Sequence, residues 1–417
     1  MLRKIIFCLI LLAAFPVFAQ ERVTVQTDEA ITAWREDLAR LESAMQEIHP
    51  NLYWRFPQTV FQQAFAELDA QIPTLTDEQI KTGIIRLGAL VDGHSFVDPF
   101  QPAIGFHLFP LQLYLFADGL YVIDADAAYA HLIGGRVATI GELSAEDALD
   151  RLRPVVNSEN EMSVRFGLPL FAIIPEVLRA QEITPSYIIE LPDGERLSIA
   201  PEAQTLRDYL RWHPVPHWLI SLRPRPEPLP MRHTDENFWY TYLAIEDALY
   251  LQFNHVSGRT QSGQNLTQFV QAVTAEYEAR SPQQVVVDVR HNLGGDNSTY
   301  GPLLDWLSTV PTRIHVIIGR YTFSAAVNFL VELELRDADV RYVGEPTGSG
   351  PRVYATARTI TLPNSRIAVA ISARDDTIAA PGDERRWIEP DVLVVPTAAD
   401  FFAGVDAALA AIFAETI

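Results

Sequence analysis

Ser324 stands in "GRYTFSAAVNFL", after the strand-like run "IHVIIG" and at the start of a helix-like run. A serine at that junction either caps the helix with its hydroxyl or attacks an electrophile from a site where the helix N-terminus favours negative charge. In the second case the amide of Ala325 faces the charge that develops, as in other strand–serine–helix nucleophiles. A second junction, "DVRHNLGGDN", follows the buried-strand pattern "QVVV". Its glycine pair, Gly294 and Gly295, allows a sharp turn and exposes amides that can hold an oxyanion. An attacking serine needs a base. The sequence has two lysines, Lys4 and Lys81, neither well placed, which directs attention to histidine. His94, in "DGHSF", lies just past a helix stop in a polar, glycine-containing loop, and His291 in the glycine turn is a rival.

The surrounding pattern says what must position these residues. Ile31, Trp34, Leu38, Leu41, Met45 and Ile48 recur at helical spacing before Pro50. Phe61, Phe65, Leu68 and Ile72 mark a second helix, stopped by Pro73. Thr76 and Gln79 form a capping-box pattern before a third helix over residues 80–91. Gly93 then takes the place of a C-terminal glycine. Residues 106–199 change character and read as a small, mostly β module. It has hairpins at Asp118-Gly119 and Pro192-Asp193-Gly194 and a helix begun by Ser144. A proline-rich stretch over 213–233 reads as a linker. His213 and His217 in it have zinc-like spacing, but Pro214 and Pro216 argue against the helix that such a site needs. Beyond it strands alternate with helices in βαβ order, which predicts a mostly parallel sheet covered by helices. Sites in such sheets gather at the carboxyl ends of the strands.

The chain has 417 residues, 48% hydrophobic and 20% charged, the composition of a globular protein of two or three domains. Its net charge of −21 argues against nucleic acid and anionic membrane as partners. Residues 1–19 read as an export signal: Arg3 and Lys4 lead an apolar run, and Val17 and Ala19 suit cleavage near Ala19. The expected location is periplasmic or extracellular. Cys8, the one cysteine, falls inside this leader, so the remaining chain has no thiol chemistry.

"VVVDVRHNLGGDN", "GRYTFSAA", "VGEPTGSG" and "WIEPDVLV" resemble, in order, the core motifs of the C-terminal processing peptidases, a serine peptidase family that includes the tricorn core protease. The resemblance covers residues 28–397 and is strongest over 249–395. It implies an α/β fold: a ClpP/crotonase-like catalytic core of βαβ units, an N-terminal helical cap and a small PDZ-like β-rich module. The implied divisions are a leader (1–19), a cap carrying the base histidine (20–100), the PDZ-like module (101–205), the linker (206–235) and the core (236–417). Serine–lysine members carry a lysine in the segment resembling "VGEPTGSG"; here Ser349 follows Thr347-Gly348. The tricorn-like, histidine-dependent branch is the better match. Carried over residue by residue, Ser324 is the nucleophile, His94 the base, and Gly294 or Gly295 with Ala325 the oxyanion amides. Glu384, or its neighbour Asp383, orients the histidine. Tricorn's histidine is preceded by a serine that joins the relay; here Gly93 precedes and Ser95 follows as the substitute. The implied activity is hydrolysis of peptide or unfolded protein substrates through an acyl-enzyme, with no metal or cofactor. The rival readings are an esterase using Ser324 and a non-catalytic binding protein on the same fold.

Overall fold

The computed structural model describes residues 25–212 and 228–414. The expected leader, and His213 and His217, lie outside them. The chain begins with three helices, α1 (Asp28–Ile48), α2 (Gln58–Gln71) and α3 (Asp77–Ala89). Leu38, Leu41 and Met45 of α1, Phe61 and Phe65 of α2, and Ile80, Ile84 and Ile85 of α3 share one core, as their three-and-four spacing requires. Thr76 and Gln79 make the expected reciprocal capping box.

An antiparallel sheet follows. Its strands are β1 (Leu111–Phe116), β2 (Gly119–Ala125), β3 (Arg136–Ile140), β4 (Leu143–Ser144), β5 (Tyr187–Glu190) and β6 (Arg196–Ile199). They run in the order β1-β2-β3-β5-β6, with β4 on β3. Both expected hairpins form, with Gly119 at φ +136° and Gly194 at φ +88°. The region is less purely β than its pattern suggests. Between the strands lie α4 (Ala145–Leu152), capped by Ser144, then α5 (Glu161–Phe171) and α6 (Pro175–Ala180). Gly167 and Pro169 disguise α5 in the sequence. Its start is nevertheless fixed by a capping box of Asn160 and Ser163. Gly167 is required because a Cβ there would sit 2.5 Å from Val156 Cγ1. Residues expected at the head of the linker instead form α7 (Leu206–Trp212), which buries Tyr209.

The second sheet is built from β7 (Phe238–Leu243), β8 (Ala248–Phe253), β9 (Gln284–Asp288), β10 (Ile314–Ile318) and β11 (Val340–Gly344), with α8 (Leu266–Arg280), α9 (Gly301–Leu307) and α10 (Ala325–Leu335) between them. Two short pairs follow: β12 (Tyr354–Ala355) with β15 (Arg374–Asp375), and β13 (Arg358–Thr361) with β14 (Ala368–Ile371). Strand β16 (Val392–Leu393) then completes a sheet of order β16-β11-β10-β9-β8-β7. All its neighbours are parallel except β7 and β8. Val285 and Val287 face the helices α8, α9 and α10. Val286 faces Ala408, Leu409 and Ile412 of a C-terminal helix, residues 407–414. Both faces are covered, so β9 reads as an unbroken apolar run. The molecule is a mixed α/β protein with several sheets.

The hairpin β13–β14 leaves the parallel sheet and packs on the other end of the chain. Leu362, Ile367, Val369 and Ile371 join the core of α1, α2 and α3. At its tip the buried Asp37 of α1 accepts the amides of Asn364 at 2.8 Å and Ser365 at 2.7 Å. Phe96 bridges to Ala370, so the loop after α3 is held by the hairpin's second strand. Asp37→Ala removes the acceptor of two part-buried amides and is expected to cost about 1–3 kcal/mol of unfolding free energy. Urea denaturation checks this; a loss below about 0.5 kcal/mol would show that the tip is not held by this carboxylate.

Candidate active site

Strand β10 ends at Ile318, and the chain makes a tight excursion through Gly319–Phe323 before α10 begins at Ala325. Ser324 occupies the capping position but does not cap: its side chain makes no capping hydrogen bond, and its backbone lies at φ 57°, ψ −125°. Capping residues ordinarily sit in the extended region. A non-glycine residue at this φ and ψ carries strain that the surrounding structure must enforce. The enforcement is visible. Asn292 accepts the Phe323 amide through its carbonyl at 3.0 Å. Its side chain accepts the Gly294 amide at 2.9 Å and donates to the Phe253 carbonyl at 2.8 Å. One asparagine thus joins the end of β8, the glycine turn and the serine elbow. The Ser324 amide donates to Ser349 Oγ at 3.0 Å, so Ser349 supports the backbone of the strained serine.

The glycine turn lies directly against the serine. Gly294 has φ +103°, and a Cβ there would sit 2.8 Å from Ser324 Cβ and 2.9 Å from the Ala325 nitrogen. The two glycines are not equivalent. The Gly294 amide is already taken by Asn292, which corrects its expected role as an oxyanion donor. The Gly295 and Ala325 amides have no hydrogen-bond partner among the described residues.

His94 arrives on the loop after α3. Its ring lies against Phe323, the residue before Ser324, with centroids 4.7 Å apart and planes at 34°. The two loops therefore meet. Gly93 has the role of a spacer: a Cβ there would sit 2.7 Å from Phe323 Cζ and 2.8 Å from Glu159 Cγ. It is not the left-handed helix cap its position suggested, because α3 ends at Ala89 with Leu90 as its cap. Both ring nitrogens of His94 are buried without a hydrogen-bond partner. The nearby carboxylate is Glu159, whose Oε1 is 3.5 Å from His94 Nδ1 and accepts the Gly93 amide at 3.0 Å.

Glu384 and Ser95 are placed differently from expectation. Glu384 is exposed on the segment before β16, and the carboxylate brought to His94 is Glu159. Its neighbour Asp383 is paired with Arg385 at 2.8 Å. The Ser95 hydroxyl is engaged with Ser372, donating at 3.2 Å and accepting the Ser372 amide at 3.0 Å. It serves the loop's attachment to the hairpin. The rival base His291 is buried beside Tyr321, in a cavity lined by neither Ser324 nor His94.

Asp92 organises the His94 loop. Its Oδ1 accepts the amides of His94 at 2.9 Å and Ser95 at 2.5 Å and the Ser372 hydroxyl at 3.0 Å. Its Oδ2 accepts from His49 Nε2 at 2.8 Å. His49 Nδ1 accepts the Asn51 amide, which fixes the proton on Nε2. Sequence reading passed over Asp92, Glu159 and Asn292. The asparagine–serine pair at residues 160 and 163, a helix start, was the available hint for Glu159.

A cavity of about 500 Å³ lies between the antiparallel sheet, α5 and α7, and Gly93, Leu293 and Phe323 are among its lining residues. Each of these adjoins one of His94, Gly294 and Ser324 in the chain. The cavity is mostly apolar, with Phe166, Phe171 and Tyr321 on its walls. Among the described residues no cluster of histidine, cysteine and acidic side chains could hold a metal ion, and no helix is long and apolar enough to cross a membrane.

No protein-family model and no curated protein sequence matches the chain. Solved structures do. Mature CPAF complexed with lactacystin aligns with a TM-score of 0.65 at 13% identity, over 93% of this chain and 98% of that one. Mature CPAF alone aligns with a TM-score of 0.64 at 12% identity, over 93% and 97%. The photosystem II D1 C-terminal processing protease gives a TM-score of 0.40 at 12% identity, over 87% and 93%. The chain shares the fold of CPAF along nearly its whole length.

Two buried groups set the acid behaviour of this region. Burial alone would raise the Asp92 carboxyl, but the His49 hydrogen bond and the His49 and His94 charges outweigh it and hold it below the usual carboxylate range. Burial pushes the His291 imidazole down to about 4. The unfolded chain therefore binds the His291 proton first, and stability falls as pH drops from about 6.5 toward 4. The Asp92 contribution, present above its unfolded value near 3.9, is lost at lower pH still. Unfolding free energy measured against pH should show both limbs, with Asp92→Asn flattening only the lower one. A flat profile between pH 7 and 4 would contradict the assignment to His291.

Proposed function

We propose that this protein is an exported serine peptidase of the C-terminal processing type, with Ser324 as nucleophile and His94 as general base. The observation that carries the reading is the strained Ser324 itself, which begins a buried helix without capping it, under Gly294 and beside the His94 loop. A serine kept in this conformation with its hydroxyl uncommitted is available to react. Likeness of fold to CPAF agrees with the order of motifs in the sequence, and CPAF has been seen with lactacystin.

In the proposed reaction His94 Nε2 takes the Ser324 proton as Oγ bonds to the substrate carbonyl carbon. The oxyanion rests on the Gly295 and Ala325 amides, at the N-terminus of α10. The protonated His94 then passes its proton to the leaving amine as the C–N bond breaks. Water, deprotonated by the same imidazole, hydrolyses the ester and restores Ser324. Glu159 turns Nδ1 toward itself and steadies the imidazolium, the part first expected of Glu384. The His94–Ser324 hydrogen bond is completed on substrate binding, since such bonds tighten in the complex. The apolar cavity beside Phe323 receives a substrate side chain, and the module of β1–β6, PDZ-like in this reading, guides the chain toward the site.

A fluorophosphonate probe should label folded wild-type protein at Ser324, with lactacystin as competitor. Ser324→Ala and His94→Ala should each lower labelling or peptide turnover at least about a thousandfold. Glu159→Gln should cost about a hundredfold, whereas Glu384→Gln, on the surface, should stay within about twofold. Absence of labelling in folded protein would leave a binding protein as the better reading. A collapse in Glu384→Gln with Glu159→Gln unaffected would return the orienting role to Glu384. Ester turnover without peptide turnover would make the enzyme an esterase.

A further inference from the structure

Glu159 also lines a polar pocket of about 390 Å³, together with Arg55, Gly350, Arg352, Glu384, Arg385 and Arg386. It touches both halves of the candidate site. Glu159 also faces His94, and Gly350 follows Ser349, which supports the Ser324 amide.

The charges in it are unevenly satisfied. Some arginines elsewhere in this acidic chain are tied to carboxylates, as Arg320 is to Glu345 at 2.6 Å and Arg290 to Asp406 at 2.9 Å. Within the pocket Arg385 is tied in the same way, to Asp383 at 2.8 Å and Glu334 at 2.7 Å. Arg55, Arg352 and Arg386 are not. The Arg55 guanidinium donates to the Ser158 carbonyl and has no ion-pair partner among the described residues. Burial and the like charge of Arg386 push it below the usual arginine range, while Glu159 and Asp92 act the other way. The Arg352 and Arg386 guanidiniums have no side-chain hydrogen bond or ion pair among the described residues. Against these three cations stand two carboxylates, Glu159, whose Oε1 accepts the Gly93 amide and whose Oε2 is buried without a hydrogen-bond partner, and the exposed Glu384.

The cluster is built rather than incidental to a loose surface. Asn160 Nδ2 donates to the Arg386 carbonyl at 2.7 Å and to the Thr347 carbonyl at 3.1 Å. It thereby pins the arginine segment to the loop that carries Ser349. Gly350 permits the approach, since a Cβ there would sit 2.5 Å from the Arg385 carbonyl oxygen. Like charges gathered in a pocket repel one another, and a bound anion relieves that repulsion.

Resting on the peptidase reading, we propose that Arg55, Arg352 and Arg386 form a subsite for a carboxylate group of the substrate. The carboxylate is either an acidic side chain or the chain's terminal carboxyl. The subsite selects substrates by charge next to an otherwise apolar cavity.

Calorimetric titration of the Ser324→Ala protein tests this without requiring turnover. The probes are an N-acetylated tetrapeptide of three alanines and a C-terminal glutamate, its glutamine counterpart, and each of them with the C terminus free or amidated. Between the two amidated peptides the glutamate form is expected to bind about tenfold tighter, about 1.4 kcal/mol, if the side chain is read. Between the two glutamine peptides the free form binds tighter if the terminal carboxylate is read. Either gap should narrow in high salt and fall to within about twofold in the Arg352→Gln/Arg386→Gln double variant, which changes the exposed Arg386 and the half-buried Arg352 and spares Arg55, whose guanidinium is bonded to the Ser158 carbonyl. No gap in either arm, no binding of any probe, or a gap that survives the double variant would overturn the subsite. A gap that behaves as expected, in a protein that no fluorophosphonate labels at Ser324, would sink the peptidase reading and leave the subsite standing.

Discussion

A single buried carboxylate, Asp92, decides where the His94 loop sits. It gathers two backbone amides, a histidine and a serine hydroxyl from three separate parts of the chain: α1's end, the loop after α3, and the end of β14. A buried carboxylate is costly unless every lone pair is met. That requirement turns the cost into positional precision, because each donor must arrive for the charge to be tolerated. His94 is then carried against Phe323 as a consequence of the loop's anchorage, with no direct bond of its own ring to hold it.

The serine side of the site is held by a different means. There Asn292 and Ser349 bond backbone groups around a strained residue, and the glycine turn fills the space in which any Cβ would collide. The parallel sheet beneath is buried on both faces, which gives the two strand-ends a rigid base. One half of the site is thus fixed by charge satisfaction and the other by close packing. They meet at Phe323, Gly93 and Glu159, where a missing Cβ on Gly93 is what permits contact.

Flanking these loops are two spaces of opposite chemistry. One is apolar and lies between the antiparallel sheet, α5 and α7. The other is polar and arginine-lined, on the segment before β16. Glu159 lines the polar one, with one oxygen on the Gly93 amide.

Local pattern sufficed for much of this. Helical spacing, the Thr76–Gln79 box, the hairpin turns and the βαβ order each predicted an element that forms, because each depends on residues a few positions apart. Ser324, His94, Gly295 and Ala325 were singled out as candidates for the same reason: each sits at a junction whose residue types are unusual. What local pattern did not supply was partnership across the chain. Glu384 or Asp383 was expected to orient the histidine and Glu159 was passed over, Gly294 was offered as an amide donor, and Ser95 was assigned to a relay. Their fates depend on Asn292, Ser372 and a hairpin more than 250 positions from the loop it holds. The helix α5, masked by its glycine and proline, is what brings Glu159 to His94. The sequence by itself determined which elements would form and which side chains of reactive type stand at their junctions. The tertiary structure alone decided which of them are free and which are already bonded, since hydrogen-bond satisfaction is a property of neighbours in space.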